Sequence, residues 1–217
     1  MYNIAIDGPA GAGKSTIAKI VAKELGFIYV DTGAMYRTLA LACLREGIDQ
    51  SDEEKVVKKC NEVEVSLGYE NGTQKVFLNG EDVSEDIRKE EVGNMTSVIA
   101  VYPEVREILV ALQKEFASKN NVVMDGRDIG TVVLPNADLK VYLTASVETR
   151  AKRRYDELVE KGIDCDLKEI EKDIADRDYR DMNREVSPLK QADDAKLVDS
   201  SDMCIEEVVE TIKGLVK

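Results

Sequence analysis

The residues whose types and spacing could do chemistry begin near the N-terminus. Gly8-Pro9-Ala10-Gly11-Ala12-Gly13-Lys14-Ser15 satisfies the pattern G-x-x-x-x-G-K-[ST], and Thr16 follows it. In such a loop the backbone N–H groups turn inward around phosphates. The lysine can reach the β- and γ-phosphates, and the hydroxyl can ligate Mg²⁺. The glycines permit the positive φ this requires. A helix starting at Lys14 would aim its positive dipole end at the same spot. A ligand-free Gly-rich turn is the competing reading. The context disfavours it, because an apolar run ending at Asp7 precedes the loop and Ile17, Ile20, Val21 and Leu25 follow at helical spacing. The loop alone implies a bound triphosphate and leaves open which group, if any, receives a phosphate.

Three further groups could complete a reaction. Asp125 ends the apolar run V-V-M-D and begins D-G-R-D (Asp125 to Asp128). An acid at that strand end can hold Mg²⁺ or its waters, or it can simply cap a turn. Gly126 permits a tight backbone there, so Arg127 and Asp128 would project where ligands bind in open α/β sheets. Asp31 to Arg37 (D-T-G-A-M-Y-R) ends a second strand. Thr32 and Arg37 suit a second phosphate, or the segment is a helix N-cap with a surface arginine. Arg150, Arg153 and Arg154 share one helical face, as do Arg177, Asp181 and Arg184. Such runs are often solvated ion-pair faces. These arginines are nevertheless the main concentrated positive charge, and a mobile lid could bring them onto a transferring phosphoryl group.

The elements that must position these residues follow from periodicity. Phe27–Val30, Val122–Met124, Leu139–Leu143 and Leu197–Val198 read as buried-type strands with helical patterns between them. With the first strand they make about five core strands flanked by helices, linked by βαβ crossovers. Val63, Val65, Leu67 and Tyr69 alternate with polar residues. Asn71-Gly72 and Asn79-Gly80 then mark hairpin turns, so an antiparallel meander is inserted. Ser146 can N-cap one late helix and Gly162 end it, and Asp166 with Glu169 forms a capping-box pattern. The 217 residues fit one domain with insertions.

Composition excludes several chemistries. There is no histidine, so Ser-His-Asp and Cys-His nucleophiles and histidine metal sites are ruled out. The net charge of −13 disfavours a nucleic-acid surface, yet an anionic small molecule could bind where arginines concentrate. No apolar stretch approaches the ~18 residues of a membrane span and no signal sequence is apparent, so a soluble, cytoplasmic protein is expected. The four cysteines (Cys43, Cys60, Cys165, Cys204) form no C-x-x-C pair and are expected reduced, as small buried hydrophobes.

Taken together, the motifs resemble the bacterial-type cytidylate kinases, a family of nucleoside monophosphate kinases. The resemblance spans nearly the whole chain. It rests on I-D-G-P-A-G-A-G-K-S, D-T-G-A-M-Y-R, N-G-E-D-V-S (Asn79 to Ser84), D-G-R-D-I-G-T-V-V-L-P (Asp125 to Pro135) and R-D-Y-R-D-M-N-R (Arg177 to Arg184). It implies a single α/β P-loop domain over 1–217: a three-layer fold with a five-stranded parallel sheet, a β-rich antiparallel insertion at about 62–95 and a helical lid at about 146–176. It implies ATP-dependent phosphorylation of CMP, and of dCMP, with Mg²⁺ on the donor phosphates. Gly8 to Thr16 would hold ATP with Arg150 and Arg154. Thr32, Arg37, Ser97, Arg106, Arg127, Asp128, Arg177, Asp181 and Arg184 would bind CMP, with Ser97, Arg106 and Asp128 reading cytosine. Lys14, Arg127, Arg153, Arg154 and Asp125 would act on the transferring group, and Ser15 and Asp125 would serve the metal. A carboxylate suits cytosine, whose N4 amino group donates where uracil presents an acceptor. A monomer with no nucleic-acid or membrane partner is expected. A P-loop kinase for another acceptor and a nucleotide-binding switch are the rivals. The second lacks the base-selective signature that switch GTPases carry.

Overall fold

The computed structural model describes residues 1–70 and 73–217. Its centre is a five-stranded sheet made of β1 (Asn3–Asp7), β2 (Ile28–Asp31), β6 (Val122–Gly126), β7 (Leu139–Thr144) and β8 (Lys196–Asp199). The order is β2-β6-β1-β7-β8 and every pairing is parallel. Period-two alternation sends Ile4 and Ile6 of β1 to one face and Ala5 to the other. On the first face they pack with Ile17, Ala18 and Val21 of α1 (Lys14–Leu25) and with Val208, Val209 and Ile212 of α8 (Ile205–Lys213). On the second face Ala5, Val30 and Met124 meet Ala117 of α5 (Pro103–Lys119) and Ile129 and Val133 of a π-helical turn, Ile129–Val133. A parallel sheet covered on both faces explains why these strands read as continuous apolar runs.

A second core lies beside the sheet. It joins α2 (Thr32–Arg45), α3 (Glu53–Glu62), α4 (Glu90–Ile99) and α5 to a small antiparallel sheet. That sheet is β3 (Val65–Glu70), β4 (Thr73–Leu78) and β5 (Glu81–Asp82), in that order. Asn79 and Gly80 both have positive φ (50° and 83°), as the turn read from the sequence requires. The other Asn-Gly pair, Asn71-Gly72, lies outside the described residues. A short 3₁₀ helix, Asp86–Arg88, leads back to α4.

Two long helices follow β7: α6 (Val147–Glu160) and α7 (Leu167–Asn183), packed against each other. Ser146 caps α6 through Thr149 N–H, and Asp166 caps α7 through Lys168 and Glu169 N–H. Three features depart from expectation. α3 was not anticipated, because only Val56 and Cys60 of its face are buried. The I-G-T-V-V segment, to which the sequence reading assigns no element, forms the π-helical turn. Of the cysteines, Cys43 and Cys60 are buried, but Cys165 is half-buried and Cys204 is exposed. Among the described residues no helix is long and apolar enough to cross a membrane.

Candidate active site

Parallel register places three acids at one edge of the sheet. Asp31 of β2 pairs with Asp125 of β6, and Asp7 of β1 pairs with Gly126. These are the carboxyl ends of adjacent strands, where open α/β sheets bind ligands. A cleft of about 860 Å³ opens there. Ala10 to Ile17 form one wall, and Thr32, Arg37, Ser97, Arg106 and Arg127 with Asp128 form the opposite one.

The loop sits as its sequence requires. Gly8 has φ 150°, and a Cβ there would lie 1.9 Å from the Leu143 carbonyl oxygen of β7, so only glycine fits. Gly8 and Pro9 are buried beneath the cleft, while Ala10 to Thr16 line it. Lys14 is buried, and its ammonium donates to the Pro9 carbonyl at 2.7 Å. Burial, and then Arg127, hold its pKa well below the usual lysine value. Ser15 Oγ donates to Asp125 Oδ2 at 2.9 Å, and the Tyr29 hydroxyl donates to Asp125 Oδ1 at 2.9 Å. Burial, then the neighbouring Asp31, raise Asp125 to about 6. Asp31 itself N-caps α2 through Ala34 N–H, so the local reading of that acid as a cap holds. Thr32, buried in the first turn, donates to the Asp125 carbonyl at 2.7 Å.

Facing the loop is a group of arginines. Arg37 donates to the Ile87 carbonyl at 3.0 Å and leaves the rest of its guanidinium to the cleft. Arg127 Nε pairs with Asp181 Oδ2 at 2.9 Å. Arg177 makes no ion pair among the described residues, and burial followed by repulsion from Arg127 lowers it to about 10. Burial and Arg88 likewise lower Arg37. Asp181 is pushed the opposite way: burial would raise it, but Arg127, Arg177 and Arg184 together outweigh that and depress it. Crowded guanidinium groups with too few acids are a site waiting for an anion.

Deeper along the same wall, Asp128 is buried between Arg106, which bonds Oδ2, and Arg184, 3.5 Å from Oδ1. The Nε of Arg106 has no partner among the described residues, and its guanidinium lies over the Tyr36 ring, 5.6 Å from the centroid. Ser97 Oγ bonds back to the Gly93 carbonyl at 3.1 Å and also lines the cleft. These residues enclose a polar pocket with paired donor and acceptor groups.

The three α6 arginines share the cleft face, as their spacing predicts, but have different tasks. Arg150 is buried. It donates from Nε to the Ala145 carbonyl at 2.9 Å and from Nη1 to the loop carbonyl of Ala10 at 2.8 Å, and its Nη2 pairs with Asp178 at 2.6 Å. Arg153 bonds the Ser200 carbonyl at 2.6 Å. Arg154, at the rim, pairs with Glu157 at 2.9 Å. Lys152 faces away and pairs with Asp156.

Sequence reasoning missed Tyr29, Tyr36, Arg88, Asp178 and the wall from Met203 to Glu206, all of which line or brace the cleft. Tyr36 sits inside D-T-G-A-M-Y-R, one residue before Arg37, and could have been singled out there. Asp178 likewise sits inside R-D-Y-R-D-M-N-R, one residue after Arg177, whereas the rest carry no local signal.

The match to known proteins agrees with this geometry. A family model described as cytidylate kinase matches residues 4–217. The chain is 53% identical over 216 residues to the cytidylate kinase of Shouchella clausii, covering 100% of this chain and 96% of that one. It is 51% identical to that of Leuconostoc mesenteroides over the same shares, and 52% identical to that of Bacillus thuringiensis over 99% and 95%. Among solved structures, an uncharacterised protein from Eubacterium ventriosum has a similar fold, with TM-score 0.56 and 11% identity over 100% of this chain and 98% of that one. Shikimate kinase from Bacteroides thetaiotaomicron gives 0.51 and 14% over 99% and 97%. At these identities the two structures bear on fold alone. Full-length identity above half to curated relatives, together with the family model, shows that this chain belongs to the cytidylate kinase family.

Proposed function

We propose that the protein transfers the γ-phosphoryl group of ATP to the phosphate of CMP, and of dCMP, giving ADP and the cytidine diphosphate. One observation carries this reading. The triphosphate loop faces Arg37, Arg127 and Arg177 across a single cleft, and of these three only Arg127 has a carboxylate partner among the described residues, which suits two anionic nucleotides meeting end to end.

On the donor side, Gly8 to Thr16 hold the ATP phosphates, and Lys14 swings from the Pro9 carbonyl to the transferring group. Arg150 positions the loop through Ala10 instead of reaching phosphate itself. Arg153 and Arg154 lie on a helical lid over about 146–176 that closes on the γ-phosphate. On the acceptor side, Arg37, Arg127 and Arg177 bind the monophosphate with Thr32 nearby. Asp128, oriented by Arg106 and Arg184, accepts from the cytosine amino group, and Ser97 and Arg106 complete the base contacts. Asp181 reaches the ribose hydroxyls. The acceptor phosphate oxygen is already anionic, attacks the γ-phosphorus in line, and needs no strong general base.

The residues also fit Mg²⁺. Ser15 and Asp125 bring hard oxygen atoms within 2.9 Å of each other, and a cation would relieve the buried Asp125 charge. Mg²⁺ characteristically takes one or two protein oxygens and completes its shell with phosphate and water. When bound, it would neutralise charge on the donor phosphates. A cytoplasmic monomer without nucleic-acid partners fits the acidic chain.

A coupled ADP-release assay with CMP, UMP, AMP and GMP tests the reading. CMP should be the best acceptor by a wide margin. Equal use of the four, or ATP consumption without an acceptor, would reject it.

A further inference from the structure

Asp7 is 4% exposed, ends β1 and does not line the cleft. Both of its carboxylate oxygens are used. Oδ1 accepts from Ile129 N–H at 2.8 Å, and Oδ2 accepts from Gly130 N–H at 2.7 Å. These are the first two amides of the π-helical turn, donors that a helical turn cannot satisfy internally. The residue placed to cap that turn is Asp128, and aspartate is among the best capping types. Yet Asp128 makes no side-chain cap bond, because its carboxylate is turned towards Arg106 and Arg184. Capping has passed to a residue more than a hundred positions away in the chain.

We propose that Asp7 is a positioning residue for the phosphoryl acceptor: by capping the turn in place of Asp128, it leaves the Asp128 carboxylate free to read the base and fixes Arg127 beside it. This rests on the acceptor-side roles proposed above for Arg127 and Asp128. Without the Asp7 carboxylate, two buried amides lose their acceptors, and the residue at the cap position that could replace it is Asp128 itself. Its carboxylate then turns inward to the amides, and the base pocket loses its acceptor.

Asp7→Asn keeps the size but converts one acceptor oxygen into a donor facing a donor. The expected result is a rise of about tenfold or more in KM for CMP, an unchanged KM for ATP, a reduced preference for CMP over UMP, and faster amide exchange at Ile129 and Gly130. Equal weakening of both nucleotides, or a lower Tm with both KM values intact, would overturn the proposal. Should that variant not fold, Gly130→Ala tests the same cap with Asp7 in place. Its Cβ would lie 3.1 Å from Lys140 Cδ and 3.3 Å from Asp7 Oδ2. The same CMP-specific KM rise is expected, and an unchanged KM for CMP would overturn the proposal. Asp128→Ala, measured in parallel, separates the two claims. If it leaves CMP preference intact, the acceptor reading itself fails. If it removes that preference while Asp7→Asn does not, only the capping proposal fails.

Discussion

At the scale of single residues, the site stores a cost that its ligands relieve. Asp125 is raised from 3.8 to about 6 by burial and by Asp31. A carboxyl with a higher pKa in the folded than in the unfolded chain binds protons more tightly when folded. Its contribution to stability is therefore fully present below the unfolded value and is lost as pH rises through about 6. Asp125→Asn removes that cost. Thermal unfolding at pH 8 without ligands should show a gain of about 1–3 kcal/mol, while kcat falls by roughly 10²–10³-fold. A variant both less stable and fully active would contradict this. Lys14, Ser15 and Asp125 were legible in the sequence, because their chemistry is written in type and spacing. Tyr29 and Asp178 were not. Each acts on an atom from a distant segment: Tyr29 on Asp125, and Asp178 on Arg150 and the Ala10 amide. Only strand order and helix packing reveal such contacts.

At the scale of elements, α6, α7 and the phosphate loop are tied through one buried ion pair. Arg150 of α6 holds the Ala10 carbonyl, Asp178 of α7 accepts from Ala10 N–H at 3.4 Å, and the two side chains pair at 2.6 Å. Removing one partner strands a buried charge. Arg150→Met should therefore destabilise the fold by about 3–5 kcal/mol and raise KM for ATP more than KM for CMP. Denaturant unfolding together with both KM values checks this. Replacing both partners, as in Arg150→Met with Asp178→Leu, should recover much of the stability and little of the ATP affinity. Strands and long helices were legible because burial on both sheet faces leaves continuous apolar runs, as in Val122–Met124. The π-helical turn was not legible. Its β-branched sequence favours a strand, and the Asp7 carboxylate that accepts from its first two amides comes from the distant first strand. α3 was missed for a different reason. Its stripe is only two buried residues wide, although Asp52 capping it and Glu53 and Glu54 in its first turn were visible start signals.

At the scale of the whole molecule, a chain of net charge −13 brings most of its arginines to one cleft. Attraction between that cleft and a phosphate is long-ranged and screened by salt. KM for CMP should therefore rise several-fold between low and high ionic strength, whereas weak binding of uncharged cytidine, read by calorimetry, should change little. Equal salt dependence for the two would argue against an arginine phosphate site. The fold class and the two-sided cleft follow from the alternation of strands and helices around the loop. The division of labour within the cleft follows only from which guanidinium groups find acids. Arg150, Arg153 and Arg154 look equivalent by spacing, yet one braces the loop, one bonds Ser200 and one stands at the rim. The central claim is that the cleft pairs a triphosphate with a cytosine nucleotide read by Asp128. The most direct test is the ratio of kcat/KM for CMP to that for UMP in the native protein and in Asp128→Ala, with ATP binding followed by calorimetry. The account predicts a high ratio that collapses towards unity through loss of CMP use, with ATP affinity retained. A ratio unchanged by the substitution would contradict it.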